Sequence, residues 1–322
     1  MRVKFKFNFL RFVAIIALFA AFCLNLAACG NEKNGAENAS TTSASAPSYK
    51  VYSNEVQVVL LLGQSNMEGH THSQYLIKTM GEEKAKKYAQ GFGNVLMAYA
   101  NSVDGNTSGG QFVPVKTGQG YAVDRFGPEV GMAEAVSEID PIKPVYFIKY
   151  AYGGTTLINH WRSPSSGKTG TLYTGAVNYA LEELKKLEDK DLYPVVKAIC
   201  WMQGESDASG NTGYEYESLE RNFVADLRNA LAYYKDAEKE IAFVDAGISD
   251  CPAWTQFKTI NDIKKKLADE DANHYYIDTI AEGLKYNAEP PSQPDIYHYD
   301  SASQIKLGKL FANVLLSSVL EV

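Results

Sequence analysis

The chain has 322 residues and a formal net charge of −7 at pH 7, with 45% hydrophobic and 21% charged residues. It is long enough to bury the core of one large globular domain or two small ones. Its negative charge disfavours nucleic acid and anionic membrane surfaces as partners, because both repel an acidic protein, whereas uncharged ligands remain compatible with it.

Residues 1–28 predict an export signal. A basic start is followed by an apolar stretch, 12–26, that is too short and too early in the chain for an ordinary membrane span. The stretch runs into the letters LAAC, and small residues before a cysteine resemble a bacterial lipobox. A lipobox implies cleavage before Cys29, a lipid on Cys29, and a lipoprotein held at the bacterial cell envelope through that lipid only. A plain secretory signal cut near Ala28 is the alternative, and both interpretations predict export.

Residues 29–48 predict a flexible tether. They are rich in Asn, Ala, Ser, Thr and Gly and carry almost no large apolar side chains, so they cannot bury enough surface to fold. The remaining residues, 49–322, show no second linker and no internal repeat. They predict a single domain.

Five short apolar runs predict strands that are covered on both faces, at 56–62, 144–151, 195–202, 241–248 and 275–280. Helical patterns lie between and after them, one opening at Pro128 and the others at 172–187, 216–234, 257–267 and 304–320. Strands that alternate with helices predict an α/β fold, a parallel sheet with helices on both faces. Functional sites of such sheets lie at the carboxyl ends of the strands.

A serine follows the first predicted strand in the string GQSNM. Gly63 permits a sharp turn that can lift Ser65 off the sheet edge, and the amide of Ser65 can then point toward a bound oxyanion. Such a serine fits a nucleophile. The alternative is a turn serine that caps the next helix.

Two further strings, YGGTT and WMQGESD, also follow predicted strands. Gly153 and Gly154 let backbone amides approach a ligand closely. Gln203 can donate its side-chain amide to a developing negative charge. Glu205 lies two residues later, and Asp207 is expected to be a solvated loop carboxylate.

The last string, DIYH, precedes the final predicted helix. Its spacing lets one short turn carry a base and the acid that orients it, because Asp295 can accept from one ring nitrogen of His298 and leave the other free to take a proton from Ser65. An isolated acid three residues before a histidine is usually structural. Here it follows every other string, in the order expected of this kind of serine hydrolase, which favours the catalytic interpretation.

Together, GQSNMEG, GGTTLINHW, WMQGESD and DIYHYDSASQIKLGKLFA resemble blocks of the SGNH hydrolases. The resemblance is to the branch that contains the family 6 acetylxylan esterases and the sialic acid-specific acetylesterases, and it runs from about Val56 to Ala312. It implies a three-layer α/β/α sandwich around a mainly parallel sheet. It also implies hydrolysis of acetyl esters on sugars, with no metal and no organic cofactor.

The same resemblance assigns roles to individual residues. It makes Ser65 the nucleophile and His298 the base, and it makes the Ser65 amide, Gly154 and Gln203 the donors of the oxyanion hole. Asp295 stands in the usual place of the acid, and Glu205 is the alternative. Asp295 is favoured because a residue three positions before the histidine needs no long-range precision to reach it.

Two positions depart from the family pattern. Ile296 and Tyr297 are bulkier than the glycine expected between the acid and the histidine, and they could tilt that loop. His160 precedes Trp161 where an acid is common. His160 and Trp161, with Arg162 beside them, are expected to form a substrate-binding platform for a sugar, and packing of Trp161 in the core is the alternative.

The remaining histidines and cysteines receive structural interpretations. His70 and His72 could ligate a metal, but no cysteine or tight acidic cluster accompanies them, so no metal site is predicted. His274 is expected at the surface. Cys200 and Cys251 are expected to be buried free thiols, with a disulfide as the alternative.

The sequence therefore predicts an exported serine esterase that removes acetyl groups from a poly- or oligosaccharide, of the acetylxylan or sialic acid type, through an acetyl-enzyme on Ser65. A noncatalytic polysaccharide-binding lipoprotein is one alternative, although such a protein has no use for Ser65, Gln203 and His298. An SGNH lipase or thioesterase is the other. The polar segment 159–171 offers no apolar wall for a long acyl chain, which disfavours it.

Overall fold

The computed structural model of the chain describes residues 54–102, 105–139, 144–210 and 212–321. The predicted signal, the tether and Cys29 lie outside these residues. All described residues belong to one compact unit, Val51–Val322. No helix within them is both long enough and apolar enough to cross a membrane.

Seven strands form one central sheet, and two short strands pair separately. In chain order the strands are β1 (Glu55–Gly63), β2 (Thr71–His72), β3 (Phe92–Asn101), β4 (Val113–Val115), β5 (Arg125–Phe126), β6 (Val145–Ala151), β7 (Tyr193–Met202), β8 (Ala242–Ala246) and β9 (His274–Ile277). The order across the sheet is β4-β3-β6-β1-β7-β8-β9, and β2 pairs with β5. All neighbours in the large sheet are parallel except β3 and β4.

Helices connect the strands and flank the sheet. They are α1 (Ser65–Glu68), α2 (Leu76–Met80), α3 (Glu82–Gln90), α4 (Glu129–Glu138), α5 (Thr171–Glu188), α6 (Glu205–Ser209), α7 (Gly213–Ala230), α8 (Phe257–Glu270) and α9 (Ser301–Ser318). This confirms the predicted α/β class with a mainly parallel central sheet. The five predicted strands and five predicted helices are all present, whereas the strands β2, β3, β4 and β5 were not predicted.

The position of β1 at the centre of the sheet explains why its sequence is so apolar. Every residue of β1 after Glu55 is buried, because β6 and β7 pair with its two edges and helices cover its faces. Leu60, for example, is level with Ile148 on one side and Ile199 on the other. A strand that is buried on both faces needs a mostly apolar sequence, which β1 has.

Two glycines allow the last helix to lie directly against α4. A Cβ atom at Gly131 would come within 2.1 Å of the Ile305 carbonyl oxygen, and one at Gly308 within 2.1 Å of the Pro128 carbonyl oxygen. Asp300 caps α9 by accepting from the Ser303 amide. The close packing and the cap fix the start of α9, and the DIYH string immediately precedes it.

The core also holds charged and polar side chains. Lys149 and Glu129 are fully buried and form an ion pair with 2.9 Å between Nζ and Oε2. Lys264 and Asp245 form another fully buried pair. His274 is 6% exposed and packs on the ring of Phe243, so the expectation that it lies at the surface is wrong. A buried charge is tolerated only where a partner compensates its lost hydration.

Candidate active site

The strand register brings the predicted motifs together. Gly63, the last residue of β1, is level with Ala151 of β6 and Met202 of β7. The strings GQSNM, YGGTT and WMQGESD therefore leave the sheet side by side. Gly63 has φ +150°, and a Cβ there would lie 2.1 Å from the Met202 carbonyl oxygen, so only glycine fits between the strands.

Ser65 is the first residue of the short helix α1 and lines a pocket of about 350 Å³. The residue that caps α1 is Gln64, and no side chain makes the capping bond. Ser65 is thus not held as a helix cap. His298 and Gly154 line the same pocket.

Asp295 orients the ring of His298. Its Oδ2 lies 2.6 Å from Nδ1 of His298, and its Oδ1 accepts from the Tyr297 amide at 2.8 Å. Burial acts to raise the pKa of Asp295, but the hydrogen bonds from the His298 ring and the Tyr297 amide outweigh it and hold that pKa below its usual value. An ionised Asp295 keeps a proton on Nδ1 of the ring, which leaves Nε2 to accept one. Ile296 and Tyr297 are exposed, so their bulk points away from this bond.

Glu205, the alternative acid, lies at the start of α6 and is 1% exposed. Its Oε1 accepts from Nδ2 of Asn66 at 2.8 Å. Burial raises its pKa, against the opposing effects of the Asn66 bond and of the positive charge of Lys264. In the described part of the chain no hydrogen bond joins Glu205 to His298.

Asn66 links the site in a way that sequence reasoning missed. Besides its bond to Glu205, its Oδ1 accepts from the Tyr299 amide at 3.2 Å, and its carbonyl oxygen accepts from Nε2 of Gln304 at 2.7 Å. Asn66, the residue beside the predicted nucleophile, therefore links α1 to α6, to the loop that carries His298 and to α9. The available signal was an amide side chain next to Ser65 at a strand end.

Two residues of the pocket have backbone amides with no hydrogen-bond partner among the described residues. One amide belongs to Ser65 and the other to Gly154, and both residues line the pocket. Gly154 has φ +69°, a conformation that glycine adopts without strain. The arrangement can accommodate a negatively charged oxygen.

Gln203 lies beneath the pocket rather than in its wall. It is fully buried, and its Nε2 lies 2.9 Å from the Thr155 carbonyl oxygen, 2.7 Å from Oδ2 of Asp207 and 3.1 Å from Oε1 of Gln64. An amide has only two N–H bonds, and the Thr155 carbonyl oxygen and the Asp207 carboxylate already accept both. To serve as an oxyanion donor, Gln203 would have to release one of these acceptors.

Asp207 is buried, and the expectation that it is solvated is wrong. It is 1% exposed and accepts from the Leu157 amide at 2.8 Å and the Ile158 amide at 3.3 Å, as well as from Gln203. Burial raises its pKa against these hydrogen bonds. Asp207 thereby anchors the segment that follows YGGTT.

Trp161 lies in the core, as the packing alternative predicted. It is fully buried, its Nε1 donates to Oγ1 of Thr155 at 2.9 Å, and its ring packs edge-on against Trp201. A sugar cannot reach either face of this indole. His160 is half-buried, and its Nδ1 accepts from the Thr156 amide at 3.0 Å.

Other aromatic side chains line the pocket instead. Tyr121 and Tyr297 are 47% and 48% exposed, and Trp254 packs against Tyr297 with 5.5 Å between ring centroids. His70 also lines the pocket, with its ring stacked on His298. Tyr121 and Trp254 lie in loops outside the strings, so no signal pointed to them, whereas Tyr297 lies within DIYH and was noted there only for its bulk.

The described residues contain no group of three or more His, Cys, Asp or Glu side chains that could hold a metal ion. His70 pairs with Glu68, and His72 lies 3.6 Å from Asp124. Cys200 and Cys251 are buried free thiols.

A family model described as carbohydrate esterase, sialic acid-specific acetylesterase matches residues 55–317. A search of curated proteins found no significant match.

Among solved structures, an Arabidopsis thaliana protein is 18% identical with a TM-score of 0.58, covering 82% of this chain and 99% of its own. NanS is 14% identical with a TM-score of 0.58, covering 83% of this chain and 98% of its own. A carbohydrate acetylesterase from Xanthomonas citri is 17% identical with a TM-score of 0.50, covering 80% of this chain but 55% of its own. At these identities the likeness shows the fold.

Proposed function

The chain belongs to the carbohydrate esterase family of the sialic acid-specific acetylesterases, and on that premise we propose that it removes acetyl groups from carbohydrate through an acetyl-enzyme on Ser65. It is a carboxylic ester hydrolase. The observation that carries the serine mechanism is a single pocket lined by Ser65, by His298 paired with Asp295, and by the free amides of Ser65 and Gly154.

The proposed reaction has two halves. Oγ of Ser65 attacks the acetyl carbonyl carbon while Nε2 of His298 takes the hydroxyl proton, and the oxyanion accepts from the amides of Ser65 and Gly154. The C–O bond to the sugar then breaks, and the sugar oxygen leaves with the proton from His298. Water attacks the acetyl-enzyme by the same route, releasing acetate and free Ser65.

The pocket walls support a sugar as the alcohol part of the ester. The partly exposed rings of Tyr121, Tyr297 and Trp254 offer apolar faces that pack on sugar C–H groups, and the hydroxyl groups of the two tyrosines can bond to sugar hydroxyls. An acetylated poly- or oligosaccharide, of the acetylxylan or sialic acid type, is the proposed substrate.

We expect the enzyme to be selective for short acyl groups. The specificity constant should fall at least tenfold from acetate to butyrate esters of one leaving group, because overpacking a closed acyl site costs about 1–3 kcal/mol. Octanoate esters should be turned over barely at all. The measurement is kcat/KM of the purified domain across nitrophenyl acetate, propionate, butyrate and octanoate, alongside acetate release from acetylated xylan and acetylated sialic acid.

A profile that rises toward octanoate would contradict the carbohydrate assignment and favour the lipase. Absence of turnover on every acetyl ester, with retained binding to the polysaccharide, would favour the noncatalytic alternative.

We also propose that the mature protein is an exported lipoprotein anchored through Cys29. Radiolabelled palmitate should enter the full-length protein, and Cys29→Ala should stop incorporation, because the thiol is the attachment point. Cys23→Ala is the matched control, since Cys23 lies within the predicted signal and should not carry the label. Incorporation that persists in Cys29→Ala would refute the lipobox interpretation.

A further inference from the structure

The carboxylate of Glu68 joins the separate parts of the pocket. Glu68 is the last residue of α1 and is fully buried. Its Oε2 accepts from the Gly153 amide at 2.8 Å and lies 2.9 Å from Nε2 of His70, and its Oε1 accepts from the Ser102 hydroxyl. These three partners come from the loop after β6, from the segment after α1 and from the end of β3.

The contact with Gly153 connects α1, which carries Ser65, to the loop after β6 that carries Gly154. This loop is called the oxyanion loop below. The Glu68 carboxylate and the His70 ring are so close to this loop that a Cβ at Gly153 would lie 2.9 Å from Oε2 of Glu68 and 3.1 Å from Nε2 of His70. A larger residue at Gly153 would therefore push the Glu68 carboxylate and the His70 ring out of their present positions. The next residue is Gly154, which lines the pocket and whose amide has no partner in the described part of the chain, so the Glu68 bond helps to place that amide.

The contact with His70 reaches the predicted base. The His70 ring stacks on His298 with 4.6 Å between centroids and 20° between planes, and its other face stacks on Tyr121 at 4.7 Å. Nη1 of Arg125 donates to the His70 carbonyl oxygen at 2.7 Å, which fixes the backbone of His70. His298 is therefore held at its edge by Asp295 and on its face by a ring whose own edge is held by Glu68.

We propose that Glu68 is a positioning residue for the ester hydrolysis, acting through Gly153 on the oxyanion loop and through His70 on His298. The inference rests on the proposed function. It assigns Glu68 no contact with the substrate. Misplacing reacting groups by about 1 Å can cost on the order of a hundredfold in rate, which is enough to make such a residue visible in kinetics.

The test compares two substitutions of Glu68. Glu68→Ala removes all three bonds and should lower kcat on nitrophenyl acetate about a hundredfold with KM within about threefold of wild type. Glu68→Gln can keep all three, since its oxygen can accept from Gly153 and His70 while its NH₂ donates to the Ser102 hydroxyl. It should restore kcat to within about tenfold of wild type. A Glu68→Gln enzyme as slow as Glu68→Ala would overturn the positioning role, because the charge itself would then be required.

Glu134→Ala is the matched control for losing a buried carboxylate. Glu134 is 2% exposed, accepts from the Tyr88 hydroxyl at 2.8 Å and does not line the pocket. The Glu134→Ala substitution should reduce thermal stability and leave kcat near that of wild type. An equal kcat loss in both alanine variants would overturn the proposal. If Glu68→Ala does not fold, His70→Ala replaces it and should lower kcat at least tenfold. A kcat of His70→Ala within about threefold of wild type would then contradict the proposal.

A spectroscopic measurement separates this inference from the proposed function. The Nδ1 proton of His298, donated to Asp295, should give a low-field NMR signal in ring-¹⁵N-histidine protein. It should broaden in Glu68→Ala, or in His70→Ala where that variant is used, and stay sharp in Glu134→Ala. A wild-type enzyme that hydrolyses no acetyl ester would refute the proposed function alone, whereas an unchanged His298 signal would refute the positioning role alone.

Discussion

Ser65→Ala should lower kcat/KM for acetyl esters about a thousandfold or more, because it removes the covalent route to the products. The fold should be unaffected. Only one oxygen is removed, and among the described residues that oxygen makes no hydrogen bond. The measurement is hydrolysis of nitrophenyl acetate by the purified variant, with its thermal unfolding compared with wild type.

Ser206→Ala is the matched control, because Ser206 lines the same pocket from α6. It should keep kcat/KM within about tenfold of wild type. A serine-reactive phosphonate should add its mass to wild type and to Ser206→Ala but not to Ser65→Ala. Near wild-type turnover by Ser65→Ala would remove Ser65 from the mechanism.

The fold class was predictable because the central strands are buried on both faces. Such strands are predominantly apolar, and β1, β6 and β7 stand out from their surroundings for that reason. The strand β3 was missed although it lies inside the sheet. Its first residues include an exposed Gly93, and its burial is interrupted along its length, so the run is less distinct.

Within the candidate site, local pairs were easier to predict than long-range ones. Asp295 and His298 are three residues apart, and their bond follows from one turn of chain. The bond between Asn66 and Glu205 joins residues 139 positions apart, and it forms only because the strand register places their segments side by side. No spacing in the sequence reports that register.

Burial of polar side chains was the least predictable property. Asp207 and His274 read as surface residues because carboxylates and imidazoles are mostly exposed. Both are buried, and so is Glu68, which sequence reasoning did not single out. Partners from distant parts of the chain place these carboxylates. Asp207 accepts from the Leu157 amide and from Nε2 of Gln203, and Glu68 accepts from the Gly153 amide. Those partners are known only once the chain has folded.

Asp295→Asn should slow acetyl ester hydrolysis on the order of several thousandfold, since an amide at this position favours the wrong tautomer of His298. Glu205→Gln should cost much less, because its side-chain oxygen can still accept from Asn66 at the place of Oε1. Burial also raises the pKa of Glu205, whereas the pKa of Asp295 is lowered. Replacing the carboxyl group by an uncharged amide is therefore a smaller change at Glu205 than at Asp295.

The two variants should be compared by kcat on the same acetate ester, at one pH near 7, with thermal unfolding as the control for folding. Loss of the Asp295 carboxylate should also remove the low-field His298 proton signal, and Glu205→Gln should leave it in place. The geometry carries this ranking, because Asp295 lies 2.6 Å from Nδ1 of His298 whereas Glu205 bonds to Asn66. If Glu205→Gln were the slower enzyme in matched kinetics, the acid that supports His298 would be Glu205, acting through Asn66 or after a rearrangement on substrate binding.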